Sequence, residues 1–119
     1  MPQVVALLPD LLFGSKVQSA LSTAGIECHL VGEAQAARAA AAGAELLVVD
    51  LTDSELGGTE LVRKMNANGE LESIKTLGFY SHVEPEVKQE AMAAGFDLVI
   101  PRSRMNREGA SLAAQLLAD

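Results

Sequence analysis

Two acidic residues follow apolar runs in this sequence, and together they could form one site. Asp50 ends the run LLVVD at residues 46–50, and Asp10 follows VVALLP at residues 4–9. A carboxylate beside a buried strand is unfavourable unless it is solvated, paired with a positive charge or part of a functional site. Close carboxylates raise each other's pKa unless a cation lies between them, and oxygen ligands suit Mg²⁺. Taken singly, Asp10 is more simply a turn or helix-capping residue and Asp50 a solvated strand end, but the pair predicts a shared site.

The elements that must position these acids alternate between strands and helices. Short apolar runs predict strands at residues 4–8, 27–31, 46–49, 75–80 and 98–100. Apolar residues at helical spacing predict helices at residues 16–24, 33–42, 59–68, 84–94 and 106–118. Strict alternation implies parallel strands joined by right-handed crossovers, with helices on both faces of the sheet. We therefore predict one α/β domain over residues 1–119, a doubly wound five-stranded parallel sheet in a flavodoxin-like three-layer sandwich.

The predicted topology also indicates where a site should lie. In such sheets, ligands bind outside the carboxyl ends of the strands, at the point where the strand order reverses. Asp10 and Asp50 both follow the carboxyl ends of predicted strands, and these two strands can be neighbours. The two carboxylates are therefore expected to converge at one edge of the sheet.

Composition narrows the classes of partner. The 119 residues carry sixteen acids and nine lysines or arginines, a net charge of −7, which argues against nucleic acids and anionic membranes as partners. The single cysteine, Cys28, cannot form an internal disulfide. No long apolar run or signal-like N-terminus is present, so we expect a cytoplasmic protein.

The segment DLTDSELGG, residues 50–58, resembles the phosphoacceptor segment of response-regulator receiver domains, with Gly58 eight positions after Asp50. Receiver domains share the predicted order of strands and helices over the whole chain length. The resemblance implies a CheY-like fold and a bacterial two-component signalling protein. It also implies that Asp50 is the phosphoacceptor position, with Mg²⁺ bound by Asp50, Asp10 and the carbonyl of Thr52.

Several positions depart from the receiver pattern. Pro9 stands where receivers usually have a second acid, and Pro101 followed by Arg102 replaces a lysine followed by proline. The threonine or serine that ends the fourth strand of receivers falls on Tyr80 or Ser81. Losing an acid weakens metal binding, and losing the lysine removes the cation that holds the phosphoryl oxygens. We therefore expect weak Mg²⁺ binding at most and a degenerate phosphorylation site, with no enzymatic activity beyond self-phosphorylation at Asp50.

Other polar groups in the same loops are not required by the receiver pattern. The segments PDLLFGSK, YSHVE and PRSR are expected to form a rim that comprises Ser15, Lys16, Tyr80, Ser81, His82, Arg102 and Ser103. Lys16 and Arg102, with helix N-termini nearby, could hold an anion. Equally, the two bases could be solvated while Ser15 and Ser103 cap helices.

The function favoured by these observations is signalling by a stand-alone, atypical receiver through contact with a protein partner. The contact face is expected to comprise the fourth helix, fifth strand and fifth helix, including Met92, Phe96, Met105 and Leu112. The chain could act as a monomer or a homodimer. Two alternatives are a working Mg²⁺-dependent phosphoacceptor at Asp50 and a small module that binds an anion or nucleotide at the rim.

Overall fold

The computed structural model describes residues 3–81 and 85–119, in which strands and helices alternate. The strands are β1 (Val4–Leu7), β2 (Cys28–Val31), β3 (Leu46–Asp50), β4 (Lys75–Tyr80) and β5 (Leu98–Pro101). The helices are α1 (Leu11–Thr23), α2 (Ala34–Ala41), α3 (Gly58–Ala67), α4 (Pro85–Ala94) and α5 (Arg102–Ala118), with a short 3₁₀ turn at Ser54–Leu56. All strand pairs are parallel, in the order β2-β1-β3-β4-β5. The predicted fold class is confirmed.

Helices cover both faces of the sheet because the strand side chains alternate between two cores. Val4, Ala6 and Val48 pack in one core with α1 and α5. Their neighbours Val5 and Leu7 pack in the other core with α2, α3 and α4. Strand β1 is consequently buried at every position, as expected for an apolar strand covered on both faces.

Helix α1 begins five residues before the predicted start, at Leu11. Asp10 is its N-cap, and the Asp10 side chain accepts a hydrogen bond from the backbone N–H of Phe13 at 3.0 Å. The early start was missed because Leu11 and Leu12 are 82% and 84% exposed and do not continue the apolar face of the helix. Ser15 and Lys16, which we expected in a loop, therefore lie on a helix.

Helix α5 also begins early, at Arg102, directly after Pro101. Its first turn contains only polar residues before the buried Met105, so apolar spacing does not reveal it. Arg102 and Ser103 are thus in the first helical turn. The alternative in which Ser15 and Ser103 cap helices is wrong, because the N-cap residues of these helices are Asp10 and Pro101.

Three residues expected on the protein-contact face belong instead to the core. Phe96, Met105 and Leu112 are buried, and their side chains pack against the sheet. Of the four residues named from the sequence, Met92 is the one that is exposed. Among the described residues, no helix is long and apolar enough to cross a membrane.

Candidate functional site

The two central strands bring the acids to one edge of the sheet. Strands β1 and β3 are adjacent, with Leu7 paired in register with Val49. Asp50 is the last residue of β3, and Asp10 ends the short connection from β1 into α1 as the N-cap of that helix. Both acids therefore lie at the carboxyl ends of adjacent strands, and each carboxylate has its own set of partners.

Asp50 is held by its own turn. The Asp50 side chain is buried. Its Oδ1 accepts one hydrogen bond from the backbone N–H of Thr52 at 2.8 Å and a second from the Thr52 hydroxyl at 2.6 Å. Among the described residues, no Lys or Arg forms an ion pair with Asp50, and no hydrogen bond reaches its Oδ2. Asp50 is therefore a buried acid stabilised by hydrogen bonds rather than by a cation, with one oxygen still available.

Asp10 has both carboxylate oxygens engaged. Oδ1 accepts the capping hydrogen bond from Phe13, and Oδ2 accepts one from Nη2 of Arg102 at 3.4 Å. The backbone hydrogen bond from Phe13 is the main reason that the pKa of Asp10 lies below its usual value, and the nearby Arg102 lowers this pKa further. Asp10 is thus already stabilised as an anion by groups of the protein.

Arg102 is also packed against α1. Its guanidinium carbon lies 4.3 Å from the centroid of the Phe13 ring, close enough for a cation–π interaction. Phe13 in turn contacts Phe79 edge to face, with ring centroids 5.4 Å apart. These contacts keep the guanidinium beside Asp10.

The donor groups do not fit a tight magnesium site of the receiver kind. Within residues 3–81 and 85–119, no group of three or more His, Cys, Asp or Glu residues could hold a metal ion. Two carboxylates and the Thr52 carbonyl remain, and one of these carboxylates already binds Arg102. Cys28 is not near this site, because it pairs with Val4 at the opposite end of the sheet.

Four residues of the predicted rim line one cavity of about 540 Å³ between the first turns of α1 and α5. These are Lys16, Ser81, Arg102 and Ser103. Leu12, Phe13 and Asn106, which were not singled out from the sequence, complete the lining together with Pro101, which was named only as a departure from the receiver pattern. Leu12 and Lys16 are separated by one helical turn, as are Arg102 and Asn106. Given the correct helix starts, this spacing would have predicted that Leu12 and Asn106 lie beside the two bases.

Two other rim residues, Ser15 and Tyr80, do not line this cavity. Ser15 is exposed on α1 and is absent from the lining. Tyr80 is half-buried and packs in the core formed with α2, α3 and α4, because side chains alternate along β4 and Phe79 takes the α1–α5 side. His82 lies outside the described residues.

Comparison with known proteins identifies the fold. No protein-family model matches this sequence, and no curated protein is significantly similar to it. A two-component response regulator from Legionella pneumophila superposes with a TM-score of 0.85 at 12% identity, over 100% of both chains. The receiver domain of a Francisella response regulator superposes with a TM-score of 0.84 at 15% identity, over 99% of this chain and 98% of that one.

A third solved structure gives the same result. A CheY-like receiver domain protein from Methanospirillum hungatei superposes with a TM-score of 0.82 at 18% identity, over 99% of this chain and 94% of that one. At sequence identities this low, the superpositions establish the fold alone, and the chemistry of each chain must be argued from its own residues. The resemblance to receivers is thus confirmed at the level of structure: this chain has the CheY-like fold of response-regulator receiver domains over its whole length.

Proposed function

We propose that this chain is an atypical receiver-like signalling domain, which acts through contact with a protein partner and does not depend on phosphoryl transfer at Asp50. The observation that carries the proposal is the contact between Arg102 and Asp10, with 3.4 Å between Nη2 and Oδ2. In receivers, the corresponding acid binds Mg²⁺ directly. In this chain, the acid caps α1 and faces a guanidinium instead.

The surroundings of Asp50 also disfavour phosphorylation. Catalysis of phosphoryl transfer relies on cations that neutralise the charge developing on the transferred oxygens. Among the described residues, no Lys or Arg forms an ion pair with Asp50, and Pro9 and Pro101 occupy the positions of a second acid and a lysine in receivers. Any Mg²⁺ bound by Asp10, Asp50 and the Thr52 carbonyl is therefore expected to bind weakly.

The proposed partner is a protein and not a nucleic acid, because a chain with a net charge of −7 repels nucleic acid. We propose that both proteins are cytoplasmic. The proposed contact face still comprises α4, β5 and α5, but the exposed Met92 is its main apolar residue. Because Phe96, Met105 and Leu112 are buried, this face offers less apolar area than the sequence implied. A weak, transient contact is consistent with such a surface.

The test is phosphorylation by acetyl phosphate with Mg²⁺, followed by intact mass spectrometry. We expect little or no modified wild-type protein. Stoichiometric modification that is lost in Asp50→Asn would contradict the proposal and support the alternative of a working phosphoacceptor. The double variant Pro9→Asp with Pro101→Lys, which supplies the two missing receiver groups, serves as the matched comparison and should gain modification if those positions limit the reaction.

A further inference from the structure

The cavity between α1 and α5 has a composition that sets it apart from the rest of this acidic chain. Two of its lining residues, Lys16 and Arg102, are cationic, and Ser81, Ser103 and Asn106 are neutral hydrogen-bonding residues. None of the described residues that line it is acidic, although the chain carries sixteen acids. The lining therefore provides a local site for negative charge.

The cations have hydrogen-bonding capacity to spare. A guanidinium carries five N–H donors. Arg102 uses one of them on Asp10, at a distance of 3.4 Å, and forms no other hydrogen bond to a described residue. Lys16 forms no ion pair with any described acid. An anion in the cavity could therefore bind both bases without breaking a short ion pair.

The position of Arg102 is set before any ligand arrives. Its guanidinium lies over the Phe13 ring at 4.3 Å, and Phe13 is anchored in the core. A positioned guanidinium loses less conformational freedom on binding than a solvated one, which favours affinity. Lys16 lies on α1 and lines the same cavity.

The remaining lining is apolar. Leu12, Phe13 and Pro101 contribute to the cavity, and Leu12 is 84% exposed. A ligand with an apolar body would remove this leucine from water, which is favourable in proportion to the area covered. The volume of about 540 Å³ falls within the usual range for small-molecule sites, roughly 300–1,000 Å³.

We propose that the cavity between α1 and α5 binds a small organic anion, with a phosphate or carboxylate group held by Arg102 and Lys16 and an apolar or aromatic body against Leu12 and Phe13. This inference goes beyond the signalling function proposed above and needs neither a metal nor phosphorylation at Asp50. It gives the domain a way of receiving a signal, by ligand binding, that does not depend on phosphorylation. The combination of cations and apolar groups in one concave site favours a small molecule over an inorganic ion.

The test is a titration of the ¹⁵N-labelled protein, followed by two-dimensional NMR. The probes are 1-naphthyl phosphate and 1-naphthoate, and comparing their affinities shows whether the site prefers a phosphate or a carboxylate group. Inorganic phosphate supplies the charge alone, and 1-naphthol supplies the apolar body alone. We expect saturable shifts of the amides of residues 12–16 and 103–106 with at least one naphthyl anion, which should bind roughly tenfold or more tightly than either fragment.

Variants distinguish the proposed site from non-specific binding. Arg102→Gln and Lys16→Gln should each weaken binding of the naphthyl anion about tenfold, the effect expected for a lost charge-assisted hydrogen bond. Arg63→Gln, which changes the charge equally on the exposed surface of α3, should bind like the wild type. A well-dispersed spectrum that changes only for residues near the substitution shows that each variant folds.

The proposal is overturned if neither naphthyl anion shifts these amides, or if Arg102→Gln and Arg63→Gln bind equally well. It is also overturned if 1-naphthol binds as tightly as the anions, because the site would then be merely apolar and better suited to a partner's side chain. None of these outcomes bears on phosphorylation of Asp50, which acetyl phosphate tests separately.

Discussion

The guanidinium of Arg102 lies 3.4 Å from Oδ2 of Asp10, although the two residues are 92 positions apart in the chain. The contact joins the N-termini of α1 and α5 at the edge of the sheet where receivers carry out their chemistry. It places a protein cation next to Asp10, the acid for which the resemblance to receivers predicts a role in Mg²⁺ binding. One interaction thus affects helix capping, the charge of the candidate site and one wall of the neighbouring cavity.

The pKa of Asp10 should lie below its usual value, and Arg102→Gln should raise it only in part. The capping N–H of Phe13, which is the larger cause, remains in the variant. A depressed pKa in the folded state stabilises the protein above the unfolded pKa of about 3.9. This stabilisation is lost as the pH falls through the lower folded pKa. A pH titration of the ¹³C-labelled Asp10 carboxyl group by NMR measures this pKa in the wild type and in Arg102→Gln. Identical pKa values in the two proteins would show that the ion pair does not form in solution.

Removal of the same guanidinium should increase the affinity of the protein for Mg²⁺. Arg102→Gln leaves Oδ2 of Asp10 without its charged partner and removes one positive charge that repels the metal. The expected gain is roughly several-fold at low ionic strength, the size of a screened unit-charge effect. Magnesium titration followed by NMR gives the affinities. Arg104→Gln, whose side chain pairs with Glu108 on the same helix, is the control for net charge and should change little.

Gly58→Ala should destabilise the domain by about 1–3 kcal/mol, the usual range for overpacking a core. A Cβ at Gly58 would overlap Cγ1 of Val49 and approach the backbone oxygen of Asp50 at 3.4 Å, so α3 would have to move away from β3. Urea unfolding measures the change in the free energy of unfolding. Gly32→Ala is the matched control, because nothing lies within 4 Å of the added methyl group, and it should change stability by less than about 0.5 kcal/mol.

Thr76→Val should cost about 0.5–1.5 kcal/mol of stability, the usual net contribution of a hydrogen bond, because the substitution removes the hydroxyl that bonds to Asp97. The Thr76 hydroxyl accepts a hydrogen bond from the backbone N–H of Asp97 at 3.0 Å and donates one to its carboxylate at 3.2 Å. These bonds connect the start of β4 to the turn before β5. Thr76→Ser keeps the hydroxyl and should lose less than the valine variant. A larger loss in urea unfolding for the serine variant than for the valine variant, which keeps the methyl group, would mean that the methyl group, rather than the hydroxyl, matters.

The strands were predicted well because their signal is local. Residues 75–80 were predicted as the fourth strand, and β4 spans Lys75–Tyr80. The starts of α1 and α5 were placed five and four residues too late, since Leu11 and Leu12 face solvent and the first turn of α5 has no apolar residue before Met105. Apolar spacing reports the buried face of a helix, and it reports little about a first turn that extends beyond the core.

The sequence by itself determined the alternation of strands and helices, and therefore the parallel α/β fold and the sheet edge where acids and bases collect. Periodicity carries this information because the side-chain repeat of each element is a local property. Only the tertiary structure decided that Arg102 contacts Asp10, that Tyr80 packs on the opposite face from the cavity, and that Phe96, Met105 and Leu112 are buried. These outcomes depend on strand order and on how each helix packs against the sheet, and they bring together residues that no short-range pattern in the chain connects.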